Sequence, residues 1–276
     1  MPRLPARLLP EDARPGQAEP SNVRERRLVT TATTRTARAS RGIQTEGRSP
    51  EELRELVSHW GAELELAPAE TIIEWAAATF GERFCITSSM GDAVLADVAS
   101  KVVPGIDVVF LDTGYHFVET IGTRDAVAAT LDVNLLTITP VQSVAEQDAA
   151  YGKDLYKTDP DLCCAMRKVQ PLTDALASYD AWATGLRRAE THNRVIAPVI
   201  GWDAKKGKVK VSPLARWSDE QVERYIAENG VLVNPLVYDG YPSIGCATCT
   251  RRVAPGEDAR SGRWAGTNKT ECGIHS

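Results

Sequence analysis

From residue 49 onward, apolar positions alternate between a helical spacing and short continuous runs, and that alternation predicts a layered α/β domain. Ser49-Pro50-Glu51-Glu52 places a hydroxyl at an N-cap, proline at the first helical position and glutamate at the third, ahead of Leu53, Leu56 and Val57. A second helix is expected after Pro68, with Ile72, Ile73, Trp75 and Ala76 as its apolar positions and Gly81 as its stop. Strands are then expected at Phe84–Thr87, 108–111, 135–138, Ala181–Thr184 and 195–200. Helices are expected at 92–102 and 117–131. Ser218-Asp219-Glu220-Gln221 is another capping box and opens a helix that should end near Gly230. Strands alternating with helices imply a parallel sheet with helices on both faces. Ligands of such sheets bind beyond the carboxyl ends of the strands, so the loops there hold the candidate chemistry.

Residues 1–48 break this rhythm. They hold ten Arg, five Asp or Glu, many Thr, Ser and Pro, and no apolar period. Such a segment cannot bury enough surface to offset the entropy of ordering, so a disordered N-terminal extension is expected, with the folded domain at 49–276. A transit peptide is the alternative, which the acidic residues and prolines fit poorly. At 43% apolar and 25% charged, the composition is that of a globular protein with a sizeable core. The net charge of −5 argues against a general nucleic-acid surface, so any bound anion must meet a local cluster of Lys and Arg. No apolar run reaches the ~18 residues of a membrane helix, and no signal peptide is evident. The expected location is cytoplasmic, a reducing compartment where cysteine pairs are metal ligands or redox thiols.

Three loops at strand ends suit a nucleotide. Ser88-Ser89-Met90-Gly91-Asp92 offers backbone N–H groups at a helix start; it lacks the Gly-Lys-Ser/Thr element of a P-loop. In Leu111-Asp112-Thr113-Gly114, the glycine permits a sharp turn, and Asp112 and Thr113 have the chemistry to bond sugar hydroxyls or simply to cap a helix. Thr184-Gly185-Leu186-Arg187-Arg188 follows a further strand, with Arg194 soon after; Arg260, Arg263 and Lys269 repeat the cationic chemistry downstream. Arginine suits phosphate and sulfate because its planar fork bonds two oxygens at once.

The six cysteines divide by context. Cys163-Cys164, at what reads as a helix start, and Cys246-Ala247-Thr248-Cys249 form two tight pairs far apart in sequence, as a four-thiolate metal site requires. Adjacent cysteines are hard to bring to one ion. Structural zinc prefers spacers of two to four residues, whereas each thiolate of a [4Fe–4S] cluster binds a different iron, which favours iron–sulfur over zinc. Cys85 lies in an apolar strand and reads as a small buried hydrophobe. Cys272, alone in Glu271-Cys272-Gly273-Ile274-His275 and near cationic residues, has the setting of a thiolate nucleophile.

With these residues in hand, the chain from about residue 50 to its end resembles the iron–sulfur bacterial branch of the APS/PAPS (adenylyl-sulfate and phosphoadenylyl-sulfate) reductase family. The resemblance rests on the three loops, Cys163-Cys164-x-x-Arg167-Lys168, Gly245-Cys246-x-x-Cys249 and Lys269-Thr270-Glu271-Cys272-Gly273-Ile274-His275. It implies an adenine-nucleotide hydrolase-like α/β fold, a [4Fe–4S] cluster on Cys163, Cys164, Cys246 and Cys249, and thioredoxin as electron donor. It further implies that Cys272 attacks the sulfonyl sulfur of adenosine 5′-phosphosulfate (APS) and displaces AMP. Lys168, Arg194, Arg260, Arg263 and, less directly, Arg187 would hold the phosphosulfate, His275 would either assist or be a plain surface histidine, and residues 255–276 would form a mobile lid. The cluster's expected role is structural and electrostatic. Two departures bear on function. The Ser-Gly-Gly-x-Asp-Ser pattern of ATP pyrophosphatases is missing, which argues against ATP cleavage, and there is no thioredoxin-like C-terminal domain, so the reductant must be a separate protein. The competing readings are a PAPS reductase, an ATP-dependent tRNA thiolase and a non-enzymatic, metal-stabilised nucleotide sensor.

Overall fold

The structure, a computed structural model, describes residues 47–265, 269 and 271–274. The expected extension therefore lies outside the described residues apart from Gly47 and Arg48, as does His275. Arg48 already belongs to the fold: its backbone N–H donates to Asp180 Oδ2 at 3.1 Å and its guanidinium to the Thr79 carbonyl at 2.7 Å.

Helix α1 (Pro50–Glu63) begins at the expected box, with Ser49 and Glu52 satisfying each other's backbone N–H groups. Helix α2 (Ala69–Phe80) stops at Gly81. Strands β1 (Phe84–Thr87), β2 (Ile106–Leu111), β3 (Val133–Ile138) and β4 (Ala181–Thr184) fall where the apolar runs place them, give or take two residues. They alternate with α3 (Val94–Val102), α4 (Val118–Thr130), α5 (Val144–Tyr151), α6 (Leu155–Thr158), α7 (Pro160–Cys164) and α8 (Gln170–Ala175). The expected strand at 195–200 is displaced. Pro198 interrupts that run and cannot donate to a ladder, so pairing begins only at β5 (Ile200–Asp203), which forms an unforeseen antiparallel hairpin with β6 (Lys208–Val211). Helix α9 (Asp219–Asn229) starts at its box and ends at Gly230.

The six strands run in the order β3-β2-β1-β4-β6-β5, all parallel except β5. Period-two alternation divides the core. Phe84 and Ile86 face the larger cluster with α2 and α3; Cys85 faces Trp182, Val109 and Leu172 of α8 on the other side. Cys85 is fully buried in that layer, as its apolar setting predicted. Sequence order reverses between β1 and β4, so their carboxyl ends splay the following loops apart and open a crevice.

Candidate active site

That crevice holds a cavity of about 310 Å³, of a size for a small-molecule ligand. Ser88, Ser89, Gly91 and Asp92 after β1, Leu111 at the end of β2, and Thr184, Gly185 and Arg187 after β4 all line it. The β1 loop is held open from behind. Met90 takes a left-handed conformation (φ 59°) with its N–H donating to Ser88 Oγ, and Asp92 Oδ1 accepts from Val94 at the start of α3. Buried Asn234 donates its side-chain amide to the Met90 carbonyl at 3.0 Å.

Lys168 and Arg194, from either side of β4, and Arg260, Arg263 and Cys272, near the end of the chain, converge on the same cavity. Arg263 stacks on Trp264 at 4.5 Å and donates to the Ile244 carbonyl. Gly245 makes that approach feasible, because any Cβ there would collide with the Arg263 guanidinium. An antiparallel bridge between Thr250 and Arg263, and a 2.9 Å bond from Trp264 N to Cys249 O, anchor the expected lid up to Trp264. Arg187 pairs with Asp219 at 2.7 Å, and Arg188 turns away to Glu65.

Asp112, Thr113 and Gly114 are not on the cavity wall. Asp112 faces Arg124, and Thr113 is fully buried with Oγ1 3.3 Å from Cys246 Sγ. Gly114 turns at φ 75° between Val144 and Arg167. This turn is a junction for both cysteine segments. Buried Arg167, three residues after Cys164, donates to the Thr113 carbonyl, and Ala247 of the other pair donates to the Tyr115 carbonyl at 2.7 Å. The result is that Cys163, Cys164, Cys246 and Cys249, more than eighty positions apart between the pairs, line one small pocket with Tyr115, Arg167, Lys168 and Trp264. Cys163 and Cys164 end helix α7 rather than begin it, and the chain continues as a π-helical turn (Ala165–Val169).

Among the described residues no group of three or more His, Cys, Asp or Glu is disposed to hold a metal ion. The donor set nevertheless suits a thiolate-bound centre. Burial and the neighbouring Cys246 and Cys249 sulfurs push Cys163 up to about 11, and a cationic centre would stabilise its thiolate. Cys272 behaves oppositely. A hydrogen bond from the Cys164 thiol, then the charges of Lys168 and Arg263, favour its thiolate against burial; with Cys164 on a metal centre, those two charges and the backbone bond at Ile274 would remain. Burial opposes the charge of Lys168, but the sulfurs of Cys246, Cys272 and Cys164 hold its ammonium above the ordinary value.

Several wall residues carried no sequence signal. His116 donates from Nε2 to the Leu111 carbonyl at 2.8 Å, and burial lowers its pKa, so it stands as neutral imidazole. Ser243 bonds both Arg260 and Arg263, and Glu190 bonds Arg194; their partners lie many residues away or around a turn that no pattern announces.

Comparison with known proteins gives this arrangement its context. Residues 83–252 match the model of the phosphoadenosine phosphosulfate reductase domain. This chain belongs to the phosphoadenosine phosphosulfate reductase family. A relative from Streptomyces coelicolor named adenosine 5′-phosphosulfate reductase is 65% identical over 230 residues, 83% of this chain and 98% of the relative. One of the same name from Mycolicibacterium smegmatis is 57% identical over 81% of this chain and 95% of its own length. Among solved structures, the phosphoadenylyl-sulfate (PAPS) reductase of Candida auris, a phosphate complex, superposes with a TM-score of 0.61 at 30% identity, covering 72% of this chain and 97% of that one. The family's adenine-nucleotide hydrolase-like sheet is the fold described above. No described helix is long and apolar enough to cross a membrane.

Proposed function

We propose that this protein reduces APS to sulfite and AMP, with thioredoxin as electron donor, in sulfate assimilation. The observation that carries the reading is that Cys272, a buried cysteine, shares one cavity with the Ser88–Asp92 loop and with the cations Lys168 and Arg263. The named relatives at 50–65% identity support APS as the substrate, and the 30% identity to a PAPS reductase supports the same chemistry on a less similar branch.

The steps balance. The Cys272 thiolate attacks the sulfonyl sulfur, the bond between that sulfur and the phosphate oxygen breaks, and AMP leaves with the electron pair. Lys168 and Arg263 neutralise charge on the departing phosphate, which makes it a better leaving group. A cysteine S-sulfonate remains. A thioredoxin thiolate then attacks Cys272 Sγ and releases sulfite, and the second thioredoxin thiol resolves the mixed disulfide, supplying two electrons in all. Cys163, Cys164, Cys246 and Cys249 are the residues that would hold a [4Fe–4S] cluster, whose contribution when bound is structural and electrostatic. The adjacency of Cys163 and Cys164 favours a multi-iron centre over one zinc ion, because each thiolate of a cluster binds a different iron. Residues 49–276 form the catalytic domain in this reading, and the segment beyond Trp264 is the part that opens for thioredoxin. The chemistry requires a reducing compartment, consistent with the cytoplasm.

The test is sulfite release by anaerobically purified protein with thioredoxin, comparing APS with PAPS. A brown protein turning over APS in strong preference is the expected result. Preference for PAPS would reassign the substrate, and a colourless protein inert to both would refute the reading.

A further inference from the structure

The cations around the cavity are unequally occupied. Arg194 donates from Nε to Glu271 Oε1 at 3.0 Å and from Nη2 to Oε2 at 2.9 Å, a side-on bidentate pair, and from Nη1 to Glu190. Arg260 adds a bond from Nη2 to Glu271 Oε2 at 3.2 Å. Arg194 and Glu271 are both largely buried, with side chains 11% and 19% exposed. In contrast, Lys168 and Arg263 have no carboxylate partner among the described residues. On the other side of Cys272, Lys206 donates to the Ile274 carbonyl at 3.1 Å while pairing with Asp203. Cys272 is thus flanked by an ionic anchor at Glu271 and a charge-assisted hydrogen bond at Ile274.

We propose that Glu271 is a positioning residue for Cys272. Its carboxylate clasps Arg194 and Arg260 and docks the C-terminal segment with the thiol in the cavity. Adjacent Cα atoms lie about 3.8 Å apart, so fixing the Glu271 carboxylate confines the Cys272 sulfur to a small volume. Placing reacting atoms is worth far more to the rate of attack than to ground-state binding. Charge-assisted bidentate bonds suit such a clasp, because they fix direction as well as distance. The assignment rests on the reading that APS occupies this cavity.

The test uses the full chain, loaded and anaerobic, as Glu271→Gln, Glu271→Asp, Arg194→Gln and the double variant Glu271→Gln/Arg194→Gln. Glu271→Gln should lower kcat by about 10- to 100-fold, with the KM for APS and the Kd for AMP within about twofold of wild type. Glu271→Asp should recover part of the loss. The double variant should be no slower than the worse single one, as groups acting as a unit require. Independently of turnover, iodoacetamide labelling of Cys272, read by peptide mass spectrometry without nucleotide, should quicken in Glu271→Gln as the buried thiol is released. The contrary result is tighter APS and AMP binding with kcat unchanged or raised, which would make Glu271 a placeholder that the substrate displaces from the arginines and would overturn the clasp. Additive losses or unaltered labelling would also overturn it. Labelling and AMP affinity need no turnover, so they judge the clasp even if the wild type leaves APS untouched.

Discussion

Thr113 shows how a residue's chemistry can be legible while its address is not. An Asp-Thr-Gly turn after a strand announces hydrogen-bonding groups and a sharp reversal, and both are present. Which way they face depends on Arg167, 54 positions later, whose guanidinium takes the Thr113 carbonyl and turns the loop toward the cysteines. No local pattern encodes that choice. Gly114→Ala should therefore act on architecture: its Cβ would meet Val144 Cγ2 at 3.1 Å and Arg167 Nη2 at 3.2 Å at a positive φ. A loss of roughly 1–3 kcal/mol is expected, seen as a lower urea midpoint. Cys272→Ser should cut sulfite release at least about 1,000-fold, while calorimetry finds AMP affinity within about twofold, because the hydroxyl is a far weaker nucleophile at this pH. Lys210 gives a residue-scale pH dependence. Burial lowers its ammonium from 10.5 to about 8, as it lies over the Trp182 ring at 5.3 Å. Between those values the unfolded chain binds more protons than the folded one, so this group makes the fold gain stability as pH rises from about 8 to 10.5 and carries its full cost below. Lys210→Met should raise stability at pH 7 by ~1–2 kcal/mol, a figure reduced for remaining solvent exposure, and should flatten the rise at alkaline pH in denaturant titrations.

At the scale of elements, the parts with a complete local signal were readable. Four boundaries, the start of α1, the end of α2 and both ends of α9, coincide with capping chemistry that needs only neighbouring residues. Ser49→Ala should accordingly cost about 1 kcal/mol in thermal unfolding. The β5–β6 hairpin escaped notice because β6 reads Lys-Val-Lys-Val, a half-polar run whose partner is shifted past Pro198. The π-helical turn after Cys164 escaped for a different reason: its wide geometry has no sequence hallmark. It has a consequence all the same. Arg167 is spent on the Thr113 turn and the cysteine pocket, while its neighbour Lys168 reaches both that pocket and the nucleotide cavity.

At the scale of the molecule, the sheet's main core of Ile73, Phe84, Ile86 and Phe110 stands apart from the thiol pocket. Bleaching the loaded protein with an oxidant and chelator should abolish visible absorbance and sulfite release while far-UV circular dichroism persists. A cooperative loss of secondary structure would instead make the centre a requirement of the whole fold. The shared wall has a further meaning. Lys168 and Trp264 border both the thiol pocket and the nucleotide cavity, so one wall serves two guests. In the proposed reading the two equilibria would be reciprocal: whatever factor AMP imposed on retention of a metal centre, that centre would impose on the affinity for AMP. An AMP-loaded protein that keeps its centre longer would then also be one whose stripped form binds AMP correspondingly more weakly.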